Sequence, residues 1–133
     1  MAKTNPRQFH LQAVHYLRKT VNYNDTGVST GVFMGTLPAG AMVTDIVANV
    51  RTAFNAGSGN SLSVGITSTA YTDILATADV TLATTGGYRG TILAAADRMA
   101  TDADVYIRYT QTGSTASAGV VDVVLMFAAN NDG

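Results

Sequence analysis

Side chains able to do chemistry are scarce in this sequence, and their spacing works against them. His10 and His15 could ligate a metal or carry a proton. They are five positions apart, which puts them on opposite faces of a strand or about 140° apart around a helix. The spacing predicts two independent histidines. Asp97, Asp102 and Asp104 gather near one loop and could offer oxygens to Ca2+, but their spacing is not that of an EF-hand loop. The chain also has no Glu to fill that loop's bidentate position. Asx turns and loop solvation are the expected roles. Gly57-Ser58-Gly59 and Gly86-Gly87 lack the Lys-Ser/Thr that would make a phosphate loop, and they read as turns. There is no Gly-x-Ser-x-Gly elbow. Nine Asp leave a glycosidase-type carboxylate pair open in principle, but nothing singles a pair out. Tyr106, Arg108 and Tyr109 suggest a base-stacking strand at first sight. Strand parity, however, separates Tyr109 from the other two, and Asp102 and Asp104 stand beside them. Packing across strands, or a protein interface, fits these three better. The residues therefore assign no catalytic group, no cofactor and no metal.

Composition points the same way. The 133 residues suffice for one domain with its own core. Hydrophobic residues make up 47% and charged residues only 13%, a balance opposite to that of disordered chains. The absence of cysteine excludes a disulfide scaffold, thiolate metal sites and a Cys nucleophile. A net charge of −1 supplies no global field to attract nucleic acid or an anionic membrane. No apolar run is long enough to span a bilayer, and the polar N-terminus predicts no secretory signal. Nineteen Thr and seven Ser take the place of the usual surface Lys and Glu. Threonine suits a pleated sheet, and charge depletion is typical of the centre of protein contacts. Together these favour a β-protein of an assembly, against the plainer reading of a low-charge β-domain. Residues 1–23 carry Lys3, Arg7, Arg18 and Lys19 and no acid, whereas the rest is net acidic.

The elements that would position these residues are strands. Residues 1–8, with Pro6, read as an extended arm preceding one domain over 9–133. From Phe9 the odd positions Phe9, Leu11, Ala13, His15, Leu17, Lys19, Val21 and Tyr23 alternate as in a long strand, although Phe9, Ala13, Leu17 and Val21 also fit a helix. Residues 32–37 form a short strand before a Leu-Pro-Ala-Gly turn. From Met42 to Asn55 a strict alternation puts Met42, Thr44, Ile46, Ala48, Val50, Thr52 and Phe54 on one face. Leu62, Val64 and Ile66 mark the next strand. Residues 68–78 lose the alternation, and Tyr71, Ile74, Leu75 and Ala78 suggest a short helix. Short strands are expected at Val80–Leu82 and Tyr88–Ala94, then longer ones around Val105–Tyr109 and Val120–Phe127. The last is apolar on both faces: Val121, Val123, Leu125 and Phe127 on one, Val120, Val124 and Met126 on the other. It is either central in its sheet or meets a partner. The predicted fold is all-β: an antiparallel sandwich of the jelly-roll kind, with seven or eight strands and one short helical insertion.

One stretch carries a resemblance. Residues 35–66 read GTLPAGAMVTDIVANVRTAFNAGSGNSLSVGI. A Leu-Pro-Ala-Gly turn feeds a long strand ending in Thr-Ala-Phe-Asn, then a glycine loop and a Leu-x-Val-Gly strand. This resembles small virion proteins of tailed bacteriophages, in particular jelly-roll capsid cement (decoration) proteins. The resemblance implies a protein that binds the outside of a capsid shell, made in the host cytoplasm. Its partners would be the major capsid protein and its own copies, as a dimer or trimer, with neither nucleic acid nor membrane. Such a protein acts through repeated interfaces and is no enzyme. Lys3, Arg7 and Phe9, in an arm of residues 1–12, are then candidates for reaching a capsid neighbour. Val120, Val124 and Met126 are candidates for self-association. A receptor- or carbohydrate-binding module of a tail, neck or fibre is the competing reading. It would use loops 55–61 and 112–119, which contain almost no aromatic residues.

Overall fold

Alternation of apolar and polar side chains settles about half of the described backbone into strands. The computed structural model describes residues 14–92 and 98–129. Among them lie seven strands: β1 (Val14–Asn22), β2 (Val32–Leu37), β3 (Met42–Thr52), β4 (Gly59–Gly65), β5 (Gly86–Arg89), β6 (Ala103–Thr112) and β7 (Val120–Ala128). Lys3, Arg7 and Phe9, and with them the expected arm, fall outside the described residues.

The strands make two antiparallel sheets, ordered β1-β7-β3-β5 and β2-β6-β4. The pairings are nested. β1 pairs with β7, β2 with β6 and β3 with β5. Inside them, β4 meets Leu75 in an isolated bridge, with Val64 N–H donating to Leu75 O at 3.0 Å. The chain is thus one long folded ribbon whose successive rungs alternate between the two sheets. This is jelly-roll winding, with the eighth strand reduced to the Leu75 bridge.

The inner faces supply the core. Val21, Ile46, Ala48, Val121, Val123 and Leu125 from one sheet meet Leu37, Leu62, Val64, Val105 and Ile107 from the other, all fully buried. Phe54 closes one end, its ring 4.7 Å from that of Tyr109. β7 sits between β1 and β3, the first of the two alternatives that its two apolar faces left open.

Three differences from the sequence reading have local causes. The alternation of β3 is broken by two bulges, one opposite Phe127 and Met126, where Thr44 is the extra residue, and one opposite Val121 and Val120, where Arg51 is the extra residue and Thr52 is turned outward. Val43 and Ile46 therefore both point inward, and Met42 points out. The helical insertion is a single 3-10 turn at Thr77–Asp79. Residues 66–73 instead fold over the outer face of β4. There Asp73 accepts from Ile66 N–H (2.9 Å) and from the Thr67 hydroxyl (2.8 Å). Finally, Val80 and Leu82 are buried without forming a strand, and the Leu82 carbonyl accepts from Phe54 N–H at 2.9 Å.

Candidate functional site

Strand parity turns one side chain in two outward, so each sheet presents a surface. On the β1-β7-β3-β5 sheet the outer face is largely apolar. Val14, Tyr16 and Met42 are 63%, 66% and 52% exposed, and Val120, Val124 and Met126 are half-buried among them. Val14, Tyr16, Arg18, Val124 and Met126 line a shallow depression of about 420 Å3. The three residues expected to mediate self-association therefore lie on this face, flanked by exposed apolar side chains of both neighbouring strands.

Charged groups border the apolar strip and pair with one another. Asp122 on β7 accepts from the Thr20 hydroxyl of β1 at 2.5 Å and from Arg51 of β3 at 2.7 and 3.2 Å. Burial alone would raise the Asp122 carboxyl pKa. The Thr20 and Arg51 hydrogen bonds, and the charges of Arg51 and Arg18, outweigh burial and hold it below the ordinary carboxylate value. Arg89 of β5 pairs with Asp45 of β3 on the same face. An apolar centre with a satisfied polar border is how protein interfaces are built.

The outer face of the β2-β6-β4 sheet carries a feature that sequence reasoning missed. Phe33 of β2, Tyr106 of β6 and Tyr71 of the 66–73 loop form one aromatic ladder. Tyr106 lies 5.8 Å from Phe33 in an edge-on contact and 5.1 Å from Tyr71 in a stacked one. Phe33 is 50% exposed. Arg108, two residues along the same face, donates from Nε to Ser29 O at 3.0 Å. The three rings are far apart in sequence. The only signal available was the parity of Phe33 and Tyr106 in their strands. Tyr109 points inward as parity requires. Its buried hydroxyl donates to Asn60 Oδ1 at 2.6 Å, and burial raises its pKa.

The loops at one end of the sandwich are tied together by backbone. Gly57 N–H donates to Ser114 O and Ser58 N–H to Thr112 O, both at 2.9 Å, and Asn55 Oδ1 accepts from Ser117 and Ala118 N–H. Main chain and small side chains line this end, with no titratable group in its depression. Among the candidates for chemistry, His15 is exposed and stacks on Phe127 at 5.6 Å. Asp102 accepts from Ala39 N–H and Asp104 from the Thr36 hydroxyl, each at 2.8 Å, so both secure the β2–β6 end of the sheet. His10 and Asp97 lie outside the described residues. What the surfaces offer is contact area, bounded by ion pairs already satisfied within the chain.

Comparison with solved structures finds the same fold. A chain of the "Cyanophage Pam1 capsid asymmetric unit" superposes with a TM-score of 0.67 at 20% identity, covering 89% of this chain and 86% of that one. The fold is one that phage capsids use. A chain of the "Capsid of Ralstonia phage GP4" gives 0.64 at 18% identity, with coverages of 89% and 85%. One from the "Acidic stable capsid structure of Helicobacter pylori bacteriophage KHP30" gives 0.58 at 18%, with 86% and 89%. No family model and no curated protein matches the sequence.

Proposed function

We propose that this protein is a structural component of a phage virion, a cement protein that binds the capsid shell and stabilises it through repeated interfaces. One observation carries the reading: the mutual coverage of 89% and 86% with a chain of a phage capsid, which matches two proteins of similar length over most of both chains. The outer face of the β1-β7-β3-β5 sheet supports it, because an exposed apolar strip with a paired polar border suits a surface covered in an assembly. Its role is energetic. Each buried Å2 of apolar surface contributes roughly 25 cal/mol, association offsets much of that, and repetition around a shell multiplies the remainder. Val120, Val124 and Met126 lie at self-association contacts, and the arm with Lys3, Arg7 and Phe9 reaches a neighbouring capsid subunit. The protein catalyses no reaction.

The test is sedimentation. Purified protein is mixed with expanded, undecorated shells of the phage that encodes it, and the shells are pelleted. Saturable binding at a fixed stoichiometry is expected, and absence from the pellet overturns the reading. Deleting residues 2–8 should weaken binding without moving the melting temperature of the isolated protein. Unchanged shell affinity would refute the arm's role.

A second reading, adhesion to a receptor or glycan, is favoured by one observation, the Phe33–Tyr106–Tyr71 ladder, since aromatic faces stack on sugars. Phe33→Ala would then reduce adsorption to host cells and leave shell binding intact. The reverse outcome removes the adhesion reading.

A further inference from the structure

A β-sandwich has four sheet edges, and each presents unpaired backbone unless something blunts it. Three of them are blunted here. β5 is only four residues long. β2 carries a bulge between Phe33 and Gly35. β4 is bridged by Leu75. The fourth, β1, has nine residues, no proline and an unbroken register against β7. Among the described residues nothing pairs with its outer edge.

Which of its backbone groups are open can be worked out. Tyr23 N–H donates to Gly119 O at 3.0 Å, in register with the β1–β7 pairs. Bonded and non-bonded pairs alternate along an antiparallel ladder, so the odd residues of β1 bond to β7 and the even ones point away. Asn22 confirms the parity. Its N–H donates to Asp25 Oδ2 at 2.8 Å and its carbonyl accepts from Asp25 N–H at 3.2 Å, so both groups are used by the turn that follows. Val14, Tyr16, Arg18 and Thr20 are left with N–H and C=O facing outward.

We propose that this edge pairs with the same edge of a second copy of the chain, antiparallel across a two-fold axis beside Leu17, joining two four-stranded sheets into one. The open set is self-complementary. One register uses all of it: Val14 opposite Thr20 of the second copy, Tyr16 opposite Arg18, Arg18 opposite Tyr16, and Thr20 opposite Val14. Four exchanging pairs make about eight ladder bonds. The side chains agree with that register. Each Arg18 meets a Tyr16 ring, where a guanidinium gains a cation–π contact, and avoids the other Arg18. On the inner side His15 stands opposite Lys19, so no pair sets two permanent charges of one sign together. The exposed Tyr16 rings of the two copies become diagonal neighbours across the axis, each exposed Val14 is covered by Thr20 of the second copy, and the two outer faces join across eight strands. The pairing requires nothing of the capsid and stands or falls apart from shell binding.

The full-length protein is measured by light scattering over a range of concentrations. A concentration-dependent dimer is expected. Arg18→Pro removes an outward N–H that β7 does not use, at an edge position where proline is tolerated. It should shift the protein to monomer with the far-ultraviolet strand signal retained. Register is read by cross-linking. The chain has no cysteine, so any disulfide is introduced. An oxidised mixture of Tyr16→Cys and Arg18→Cys proteins should give mainly the mixed dimer, because those positions face each other only in this register. A wild-type monomer at all concentrations overturns the proposal, as does a dimer without preference for the mixed cross-link. These readouts stay valid if the proline variant does not fold, and neither depends on shells.

Discussion

Replacing Asp122 by alanine tests how the outer face is held together. The carboxylate ties three strands: Thr20 of β1 at 2.5 Å, Arg51 of β3 at 2.7 Å, and its own β7. It is 9% exposed, whereas the Arg51 side chain is 54% exposed. A hydrogen bond to a charged group contributes about 1.5–3 kcal/mol, and a half-exposed ion pair about 1 kcal/mol or less. Both orphaned partners are able to rehydrate, so no buried-unsatisfied penalty is added. Asp122→Ala should therefore cost about 2 kcal/mol, or roughly 6–10 °C in Tm for a chain of this length. Arg51→Ala should cost less than about 1 kcal/mol. The pH dependence follows from the lowered pKa of Asp122. A carboxyl more acidic in the folded state than in the unfolded chain contributes its full stability above the unfolded value, about pH 3.9. That contribution fades as pH falls through the lower folded value. Urea melts of both proteins at fixed protein concentration, from pH 7 down to pH 3, measure it. The gap between wild type and Asp122→Ala should be constant near neutrality and narrow below about pH 4. A gap that stays level to pH 3, or widens, would refute the electrostatic account of this node.

Other expectations come from packing. Gly119 has φ of +149°, and a Cβ there would lie 2.4 Å from the Phe54 ring. Gly119→Ala should destabilise by roughly 2–4 kcal/mol, read as a lower urea midpoint with unchanged slope. Leu125 is fully buried at the centre of β7, and Leu125→Ala should cost about 2–5 kcal/mol by the same measurement. Met126→Asp places a charge on the apolar outer face without touching the core. Self-association through that face, followed by light scattering with rising concentration, should weaken while Tm moves by only a few degrees.

The sequence revealed the sheets better than the surfaces they present. β7 was legible because Val121, Val123, Leu125 and Phe127 alternate with Val120, Val124 and Met126; a strand apolar on both faces is either central or meets a partner, and β7 is central. β3 was legible as a strand, but its two bulges were not. A single extra residue at Thr44 leaves the alternation looking regular while exchanging the faces of Met42 and Val43. In residues 68–78 helical spacing competed with a tertiary contact and lost. Ile74 and Leu75 are held by β4, and Tyr71 by Tyr106. The aromatic ladder depends on that loop fold, so no local pattern announced it. The Asp122 node joins residues 102 apart, and nothing in the spacing of Thr20, Arg51 and Asp122 hints at it.

The nesting of the strands also governs when the molecule can finish itself. Of the seven described strands, the one made after the other six, β7, slots between the first and the third. Until it emerges, β1 has no neighbour in its sheet and β3 has only β5. A nascent chain therefore cannot assemble the outer face of that sheet before β7 has been made, and any product cut short of β7 lacks it.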